Sequence, residues 1–266
     1  MMLVVPAMPE AARNESPHYD YSRIPVGYYD SVLRSGNPVR RLWHLSKFER
    51  VLDCLPPTGM RSLLDIGCFA GSFLSLVSER QFPRQVGVDI LQPQIEYARV
   101  HYGTTFREFL HVPGVADLDR VDGTFDCITL IEVIEHLAPR EVTVLLDRIT
   151  RKLVPGGRLV ITTPNYASAW PLIEFLLNRF SGVSYEEQHI TRFTWFNVKR
   201  KLHALYPSFE RDFSFEFKTT THLLTPFLAS ISFKVAHTLS RVVPHRRWLL
   251  PFGNLLLLVL CRNSSP

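Results

Sequence analysis

The stretch Leu63–Phe73, which reads L-L-D-I-G-C-F-A-G-S-F, constrains the fold of this chain more than any other. It opens with the contiguous apolar run of a buried parallel strand, and Asp65 lies near the carboxyl end of that strand. Gly67 and Gly71 then bracket a tight turn in which the backbone can approach a ligand closely. From Ser72 the apolar spacing predicts a helix. A strand, a glycine-containing turn and a helix N-terminus together form a site of nucleotide size.

The next apolar run, V-G-V, ends at Asp89. An acid roughly twenty residues beyond such a turn can accept hydrogen bonds from both hydroxyls of a ribose. The spacing of the glycines differs from the G-x-G-x-x-G fingerprint, and the absence of Gly-Lys-Ser/Thr excludes a P-loop. Taken alone, these features also suit an ordinary strand-to-helix turn with two glycines.

Composition limits the class of protein. A chain of 266 residues with 46% apolar residues can form one large α/β domain, or at most two small ones, and is not disordered. The four cysteines lack C-x-x-C spacing, which argues against a zinc site or a disulfide framework and favours a reducing compartment. The first ten residues have no basic region, and no apolar run reaches the length of a spanning helix. We therefore expect a cytoplasmic protein.

Strand-like and helix-like segments alternate along the chain, which predicts a parallel, doubly wound sheet. The predicted strands are 63–66, 86–89, 106–110, 125–130, 158–163, 209–218 and 254–260. The predicted helices are 39–55, 72–80, one that starts near Pro93, one that continues through Leu153, 170–180 and one capped by Thr194.

Four blocks of sequence then agree, in order and spacing, with a known family. They read L-D-I-G-C-x-x-G-x-F, V-G-V-D-I, F-D-C-I-T-L-I-E-V-I-E-H-L and L-V-P-G-G-R-L-V-I-T-T-P-N. Over about residues 40 to 205 the chain resembles the class I S-adenosylmethionine-dependent methyltransferases, within the type 11/12/23 group that includes ubiquinone-biosynthesis O-methyltransferases.

The resemblance implies a Rossmann-like, doubly wound, seven-stranded and mostly parallel sheet with an antiparallel last strand, an N-terminal helix and helical lid insertions. It divides the chain into an N-terminal arm (1–38), a methyltransferase core (39–222), an apolar and basic helical insertion (223–253) and a final strand with its tail (254–266).

The cofactor implied by the resemblance is S-adenosyl-L-methionine. The residues that would bind it are Asp65, Gly67, Cys68, Phe69, Gly71, Asp89, Ile90 and Glu132. Phe69 stands where many relatives carry a third glycine, and an aromatic ring there should narrow the loop. In the family a side chain at the end of the third strand contacts the adenine, and Glu108 and Asp117 are the candidates here.

The block after the fourth strand carries the candidate chemistry. Glu132, Glu135 and His136 stand at i, i+3 and i+4, so all three share one face if a helix begins there. The predicted catalytic residues are Glu132, His136 and His189. No metal is favoured, but the resemblance to small-RNA 2′-O-methyltransferases offers an alternative in which Glu132, Glu135, His136 and His189 hold Mg²⁺ or Mn²⁺.

The favoured reaction is O-methylation of a hydroxyl on a hydrophobic, glycan-linked or quinone-like metabolite. The alternatives are a metal-dependent RNA 2′-O-methyltransferase-like enzyme and a non-catalytic cofactor-binding partner subunit. Nucleic acid is not an expected partner, because the chain lacks a clustered basic groove interleaved with exposed aromatic residues. The apolar stretches 170–180 and 223–252 suit either a lid or peripheral contact with the inner membrane surface, through which a lipid-like substrate would be reached.

Overall fold

The computed structural model describes residues 24–56, 59–180, 189–223, 225–242 and 251–264. Its seven strands are β1 Ser62–Ile66, β2 Arg84–Asp89, β3 Arg107–His111, β4 Phe125–Ile131, β5 Leu153–Pro164, β6 Phe213–Thr221 and β7 Leu255–Arg262. The buried residues of β1, β2 and β4 are almost uninterrupted, as a strand covered on both faces requires.

All seven strands form one sheet in the order β3-β2-β1-β4-β5-β7-β6. The pairs from β3 to β5 are parallel, whereas β7 runs antiparallel to both β5 and β6. The chain moves outward from β1 to β3 and then returns to add β4 on the other side of β1. This reversal places a crevice beyond the carboxyl ends of β1 and β4, and it confirms the predicted fold class.

Helices cover the sheet and its carboxyl edge. The helices are α1 Tyr28–Ser35, α2 Pro38–Cys54, α3 Gln92–Tyr102, α4 Pro139–Lys152, α5 Trp170–Phe180, α6 Val198–Leu205, α7 Phe209–Asp212, α8 Thr225–Leu228 and α9 Phe233–Val242. α2 begins at a proline, and the Asn37 side chain accepts hydrogen bonds from the backbone of Val39 and Arg40. No helix within the described ranges has both the length and the apolarity that crossing a bilayer requires.

Four of the predicted elements are wrong in type or position. The helix expected from Ser72 is only a 3₁₀ turn at Leu74–Leu76. The helix expected directly after β4 starts only at Pro139 as α4, and a 3₁₀ turn at Ile134–His136 precedes it. α6 has Asn197 at its N-cap, three residues beyond the expected Thr194. The sixth strand starts only at Phe213, because residues 209–212 form the short helix α7.

The core lies on both faces of the sheet. On one face α4, α6 and the β4–β5 region bury a cluster that includes Leu145, Ile149 and Leu202. On the other face α2 and α3 bury a second cluster around Val51, Phe73 and Phe109. The insertion packs on α2, where Leu42 contacts Ala229 and Ala236, and α2 is thereby fixed between the sheet and α9.

Candidate functional site

One cavity of about 650 Å³ opens at the crevice beyond β1 and β4. This volume lies within the range of roughly 300–1,000 Å³ that small-molecule sites occupy. Its walls come from the glycine turn after β1, the ends of β2, β3 and β4, one side of α2, and the inner side of α5 with His189. A single cavity therefore touches every block of sequence to which the predicted site residues belong.

The glycine turn forms one wall of the cavity, and its backbone conformation requires glycine twice. Gly67 and Gly71 have φ of 77° and 78°, in the left-handed region. A Cβ on Gly67 would lie 2.4 Å from Cγ2 of Val133, and a Cβ on Gly71 would lie 2.8 Å from the Phe109 ring. At both positions a side chain would therefore collide with neighbouring protein side chains, so packing as well as φ requires glycine in this turn.

Phe69 also adopts a left-handed backbone conformation, with φ of 49°. Its ring contacts Tyr29 of α1 edge-on at 4.8 Å between ring centroids. The Phe69 side chain therefore turns toward the N-terminal helix α1. It connects this helix to residues 65–71, the predicted cofactor loop.

Asp89, at the end of β2, is bound into the same loop. One carboxylate oxygen accepts the Phe69 N–H at 2.8 Å and the other accepts the Leu91 N–H at 2.9 Å. Each oxygen of a carboxylate has a second lone pair, so both remain able to accept a hydroxyl. Asp65 is buried beneath the loop and accepts the Thr129 hydroxyl at 2.7 Å. Burial raises the pKa of Asp65 to about 7, against the opposing effect of the Thr129 hydrogen bond.

Glu132 follows β4 and points toward α2. Its φ is 54°, and its N–H is held by the Thr162 carbonyl at 3.1 Å. Its carboxylate accepts a short hydrogen bond from Lys47, a side chain that is only 4% exposed. Burial opposes ionisation of Glu132, but the Lys47 ammonium outweighs it and lowers the pKa of Glu132 to about 2.

His44, one turn before Lys47 on α2, completes this group. Its Nδ1 lies 3.3 Å from the Lys47 ammonium. Burial and then the Lys47 charge lower the pKa of His44 to about 3, so the ring is neutral and Nδ1 accepts from the ammonium. A primary ammonium carries three N–H bonds, and these two contacts leave one for an acceptor in the cavity.

A second cluster lies deeper along the same wall and brings together Glu135, His136 and His189. One ligating atom from each residue lies within 4.8 Å of the others. The two imidazole rings are 5.1 Å apart, and the Thr191 N–H donates to the Glu135 carbonyl at 2.9 Å, which ties the segment with His189 to the turn after β4. Glu132 is not part of this cluster, because its carboxylate is bound to Lys47. Of the four candidate metal ligands, the structure therefore brings Glu135, His136 and His189 together and leaves Glu132 outside the cluster.

The Glu135 carboxylate is fully buried, and within the described residues neither oxygen has a partner at full hydrogen-bond geometry. The Thr163 hydroxyl and the backbone N–H of Glu135 lie near it and oppose the rise of its pKa only weakly. Burial, and then the nearby Glu132 charge, raise the pKa of Glu135 well above its ordinary value. A buried carboxyl group of this kind suits either a neutral, protonated acid or a carboxylate that binds a cation.

The end of the cavity beyond β3 is apolar. Val112, Val115 and Leu118 line it, together with Ile90. Neither Glu108 nor Asp117 lies on the wall: Glu108 is exposed on β3, and Asp117 forms an ion pair with Arg120 at 2.9 Å. The structure therefore places both adenine candidates outside this cavity. The cavity offers an apolar slot there instead of an acidic side chain.

Sequence reasoning also missed the polar side chains of α2. Its inner side places Arg40, His44 and Lys47 on the cavity wall at i, i+4 and i+7. This spacing is visible in the sequence, where the three residues mix with Trp43 and Phe48, and it is the signal that could have identified a basic face toward the site.

Comparison with known proteins agrees with the geometry. Residues 39–205, more than half of the chain, match a methyltransferase domain family. The chain belongs to this family and has the fold of the class I S-adenosylmethionine-dependent methyltransferases. The structure brings its predicted cofactor loop, Asp89 and Glu132 to one cavity, as a binding site for that cofactor requires.

Among curated proteins the chain is similar to ubiquinone biosynthesis O-methyltransferases. It is 31% identical over 139 residues to that of Xanthomonas axonopodis pv. citri, which covers 52% of this chain and 54% of that protein. It is 38% identical over 123 residues to that of Nitrobacter winogradskyi, which covers 45% and 44%. The match thus spans about half the length of these relatives.

Solved structures share the fold at lower identity. A methyltransferase from Archaeoglobus fulgidus has a TM-score of 0.56 and 21% identity, over 92% of this chain and all of that one. The plantazolicin methyltransferase BamL, solved with a triazolic desmethylPZN analogue and S-adenosylhomocysteine, has a TM-score of 0.56 and 17% identity, over 89% and 88%. A Haloferax volcanii methyltransferase complex with the activator Trm112 gives 0.59 and 17%, over 84% and 91%.

Proposed function

We propose that this protein transfers a methyl group from S-adenosylmethionine to a hydroxyl of a hydrophobic, glycan-linked or quinone-like metabolite. The observation that carries the proposal is the continuity of one cavity. It runs from the glycine turn and Asp89, past the imidazoles of His136 and His189, to an apolar wall formed by α5. A cofactor and an acceptor can therefore meet in one cavity.

The loop residues fit the cofactor as follows. Asp89 accepts the ribose hydroxyls, the backbone at Gly67 and Gly71 faces the methionine end, and the apolar slot at Val112 and Leu118 takes the adenine. Lys47 lines the cavity beside this loop, and the N–H that its contacts with Glu132 and His44 leave over would hold the carboxylate of the methionine end. Of the remaining predicted residues, Cys68 and Phe69 line the cavity beside this loop, and Ile90 lines its apolar end.

When bound, S-adenosylmethionine supplies a methyl group that its sulfonium activates, and sulfur keeps the electron pair of the broken bond. A hydroxyl acceptor must also lose its proton as the new O–C bond forms. His136 and His189 line the acceptor side and are the groups that can take this proton. Glu132, fixed by Lys47, keeps a negative charge next to the site of transfer.

The substrate class follows from the apolar side. Trp170, Ile173 and Leu177 of α5 and Phe227 of α8 face the cavity. The curated relatives are named as enzymes of ubiquinone biosynthesis. An aromatic diol with an apolar tail fits such a wall better than a polar sugar or a nucleic acid does.

The outer faces of the same helices support attachment to a membrane surface. Leu172 and Phe175 on α5 are 62% and 63% exposed, and Ile231 before α9 is 84% exposed. The chain has no Asp or Glu from residue 217 to its last residue, whereas it has six Lys and Arg there. Of these cations, Arg241 of α9 pairs with the Glu49 carboxylate of α2 at 3.0 Å. An apolar surface beside an excess of basic residues is complementary to anionic lipid headgroups. Most of the basic stretch 241–247 lies outside the described residues.

A metal-dependent reaction is the second candidate, and the cluster of Glu135, His136 and His189 favours it. Two imidazoles and a carboxylate suit Mn²⁺ or Mg²⁺, and a cation there would neutralise the buried Glu135 carboxylate and hold the acceptor oxygen.

The decisive experiment is calorimetric titration with S-adenosylmethionine and S-adenosylhomocysteine, first in EDTA and then with Mg²⁺ or Mn²⁺, on the wild type and on Asp89→Ala. We expect binding in EDTA that Asp89→Ala weakens at least about tenfold, since each charge-assisted hydrogen bond contributes about 1.5–3 kcal/mol. Heat that appears only with metal and is lost in Glu135→Gln would establish the second candidate. Absence of cofactor binding would contradict both.

A further inference from the structure

Glu174 is the one acidic residue of the apolar helix α5, and it points inward. Its side chain is 7% exposed, although its neighbours Leu172, Phe175 and Leu176 are exposed to solvent. Burying a carboxylate beneath exposed apolar side chains is the reverse of an amphipathic pattern, and it is unfavourable unless the carboxylate is hydrogen-bonded. A specific partner must therefore account for its position.

The partners of Glu174 are His189 and Tyr166. Oε1 of Glu174 lies 3.2 Å from Nδ1 of His189 and accepts the Tyr166 hydroxyl at 3.1 Å. The Tyr166 oxygen lies 2.8 Å from the same Nδ1. Both partners contact the same carboxylate oxygen, and the two partners also contact each other. Glu174, Tyr166 and His189 thus form one closed hydrogen-bonded group beneath α5.

This geometry determines which nitrogen of His189 carries the proton. A carboxylate can only accept hydrogen bonds, so the lone pair of an unprotonated Nδ1 would be repelled by Oε1. A proton on Nδ1 can instead be shared between Oε1 of Glu174 and the Tyr166 oxygen, while the Tyr166 O–H donates to Glu174. In the neutral ring the basic lone pair is then on Nε2.

We propose that Glu174 is a positioning residue that holds His189 in the Nδ1–H tautomer and thereby makes Nε2 the basic nitrogen at the acceptor site. A carboxylate that orients an imidazole and selects its tautomer is a recurring arrangement for proton transfer from a hydroxyl. The inference rests on the proposed function, since it says how His189 serves the methyl acceptor. It also connects the apolar helix α5 to the chemistry, because the residue that orients the ring belongs to that helix.

The test is a long-range ¹H–¹⁵N spectrum of the histidine rings at neutral pH, in EDTA and with S-adenosylhomocysteine bound. His189→Asn identifies the signals. We expect wild-type His189 to carry its proton on Nδ1, and Glu174→Gln to shift Nδ1 toward the unprotonated range, because the amide N–H₂ of glutamine can donate to it. Glu174→Asp should restore the wild-type tautomer in part. Tyr166→Phe is the matched control and should leave the proton on Nδ1, because the Glu174 carboxylate remains.

A wild-type ring protonated on Nε2 alone or on both nitrogens would overturn the proposal without any variant. So would a Glu174→Gln protein whose Nδ1 signal is unchanged, and thermal unfolding of the same samples shows that each variant is folded. Calorimetry with S-adenosylhomocysteine on these samples separates the two claims. A wild type that binds no cofactor contradicts the proposed function, whereas one that binds it with the other tautomer contradicts only the role of Glu174.

Discussion

At the scale of single residues, comparing alanine substitutions at Gly67 and Gly156 distinguishes the cost of backbone strain from the cost of a steric clash. Both have a left-handed φ, of 77° and 75°, but an added Cβ meets Val133 at 2.4 Å only at Gly67. We expect Gly156→Ala to lower the free energy of unfolding by about 1–2 kcal/mol through φ alone. Gly67→Ala should cost about 1–3 kcal/mol more through overpacking. Urea unfolding measures both.

The matched variant for this prediction removes the contact and keeps the strain. In the Gly67→Ala background, Val133→Ala should recover the additional loss, so that the double variant approaches the cost of Gly156→Ala apart from the cavity that Val133→Ala itself creates. Equal stability of Gly67→Ala and Gly156→Ala would show that the turn has room for a side chain.

Lys47 gives a second prediction at this scale, because its proposed partner can be deleted from the ligand. S-adenosylhomocysteine carries the methionine carboxylate and methylthioadenosine lacks it. A charge-assisted hydrogen bond of about 1.5–3 kcal/mol corresponds to roughly tenfold to a hundredfold in affinity. Calorimetry should therefore show that Lys47→Met weakens S-adenosylhomocysteine by this factor and leaves methylthioadenosine nearly unchanged.

Two further variants control this experiment. Lys199→Met removes the same charge from an exposed position outside the cavity and should affect neither ligand. Lys47→Met combined with Glu132→Gln removes both members of the buried ion pair, which avoids leaving one charge unpaired. An equal loss of both ligands in this double variant would assign Lys47 to the fold of the loop instead of to the carboxylate.

Which residues the sequence predicts depends on how local their signal is. The conformations of Gly67 and Gly71 follow from their place after a strand, and both were expected. Lys47 and Glu174 have roles that arise from contacts across 85 and 15 residues of chain, respectively. From the sequence alone, a lysine or a glutamate within a helix is expected to be exposed to solvent. Only the fold shows that Lys47 and Glu174 are buried.

At the scale of elements, α1 is held over the cofactor loop mainly by polar contacts. Asp30 is buried and accepts hydrogen bonds from Tyr97 at 2.9 Å and from Ser72 at 3.2 Å, as well as a short one from Tyr102. Asp30→Asn should release α1. We expect faster hydrogen exchange in α1 and faster dissociation of S-adenosylhomocysteine in stopped-flow measurements, with the exchange of α4 as the internal reference.

The same contact predicts an acid-dependent loss of stability. Burial of Asp30 opposes ionisation, but the hydrogen bonds from Tyr102, Tyr97 and Ser72 prevail and lower its pKa below 3.8. Stability from Asp30 is therefore present above its unfolded pKa and is lost as pH falls through the lower folded value. The difference in stability between wild type and Asp30→Asn should narrow below about pH 4. A constant difference from pH 7 to pH 2 would show that the carboxylate is not the anchor.

Elements were predicted well where the pattern reports both burial and backbone conformation. The strands β1, β2, β4 and β7 have contiguous apolar runs that fit only a covered strand, and all were expected. The stretch after Gly71 was predicted wrongly. Phe73, Leu74 and Val77 have helical spacing and are buried, but the backbone there forms only a 3₁₀ turn. Apolar spacing specifies which side chains face inward, and a compact turn satisfies it as well.

At the scale of the whole molecule, the cavity and the apolar outer surface share two elements. α5 presents Ile173 and Leu177 to the cavity and Leu172 and Phe175 to solvent, and α8 contributes Phe227 to the cavity wall. A lipid-like acceptor that lies in a bilayer could therefore reach the methyl donor without crossing water. This arrangement links the proposed substrate class to the proposed location.

Co-sedimentation with vesicles tests that link. The protein should bind vesicles of phosphatidylcholine with phosphatidylglycerol more tightly than vesicles of phosphatidylcholine alone, and high salt should weaken the difference because it screens the basic residues. Leu172→Ser with Phe175→Ser should reduce binding to both, since each buried side chain contributes about 1.5–3 kcal/mol. Val100→Ser with Phe106→Ser is the matched control, because both residues are exposed on the distant α3–β3 edge. Equal loss in the two pairs, or no binding to anionic vesicles at low salt, would remove the membrane from the function and leave α5 as a lid alone.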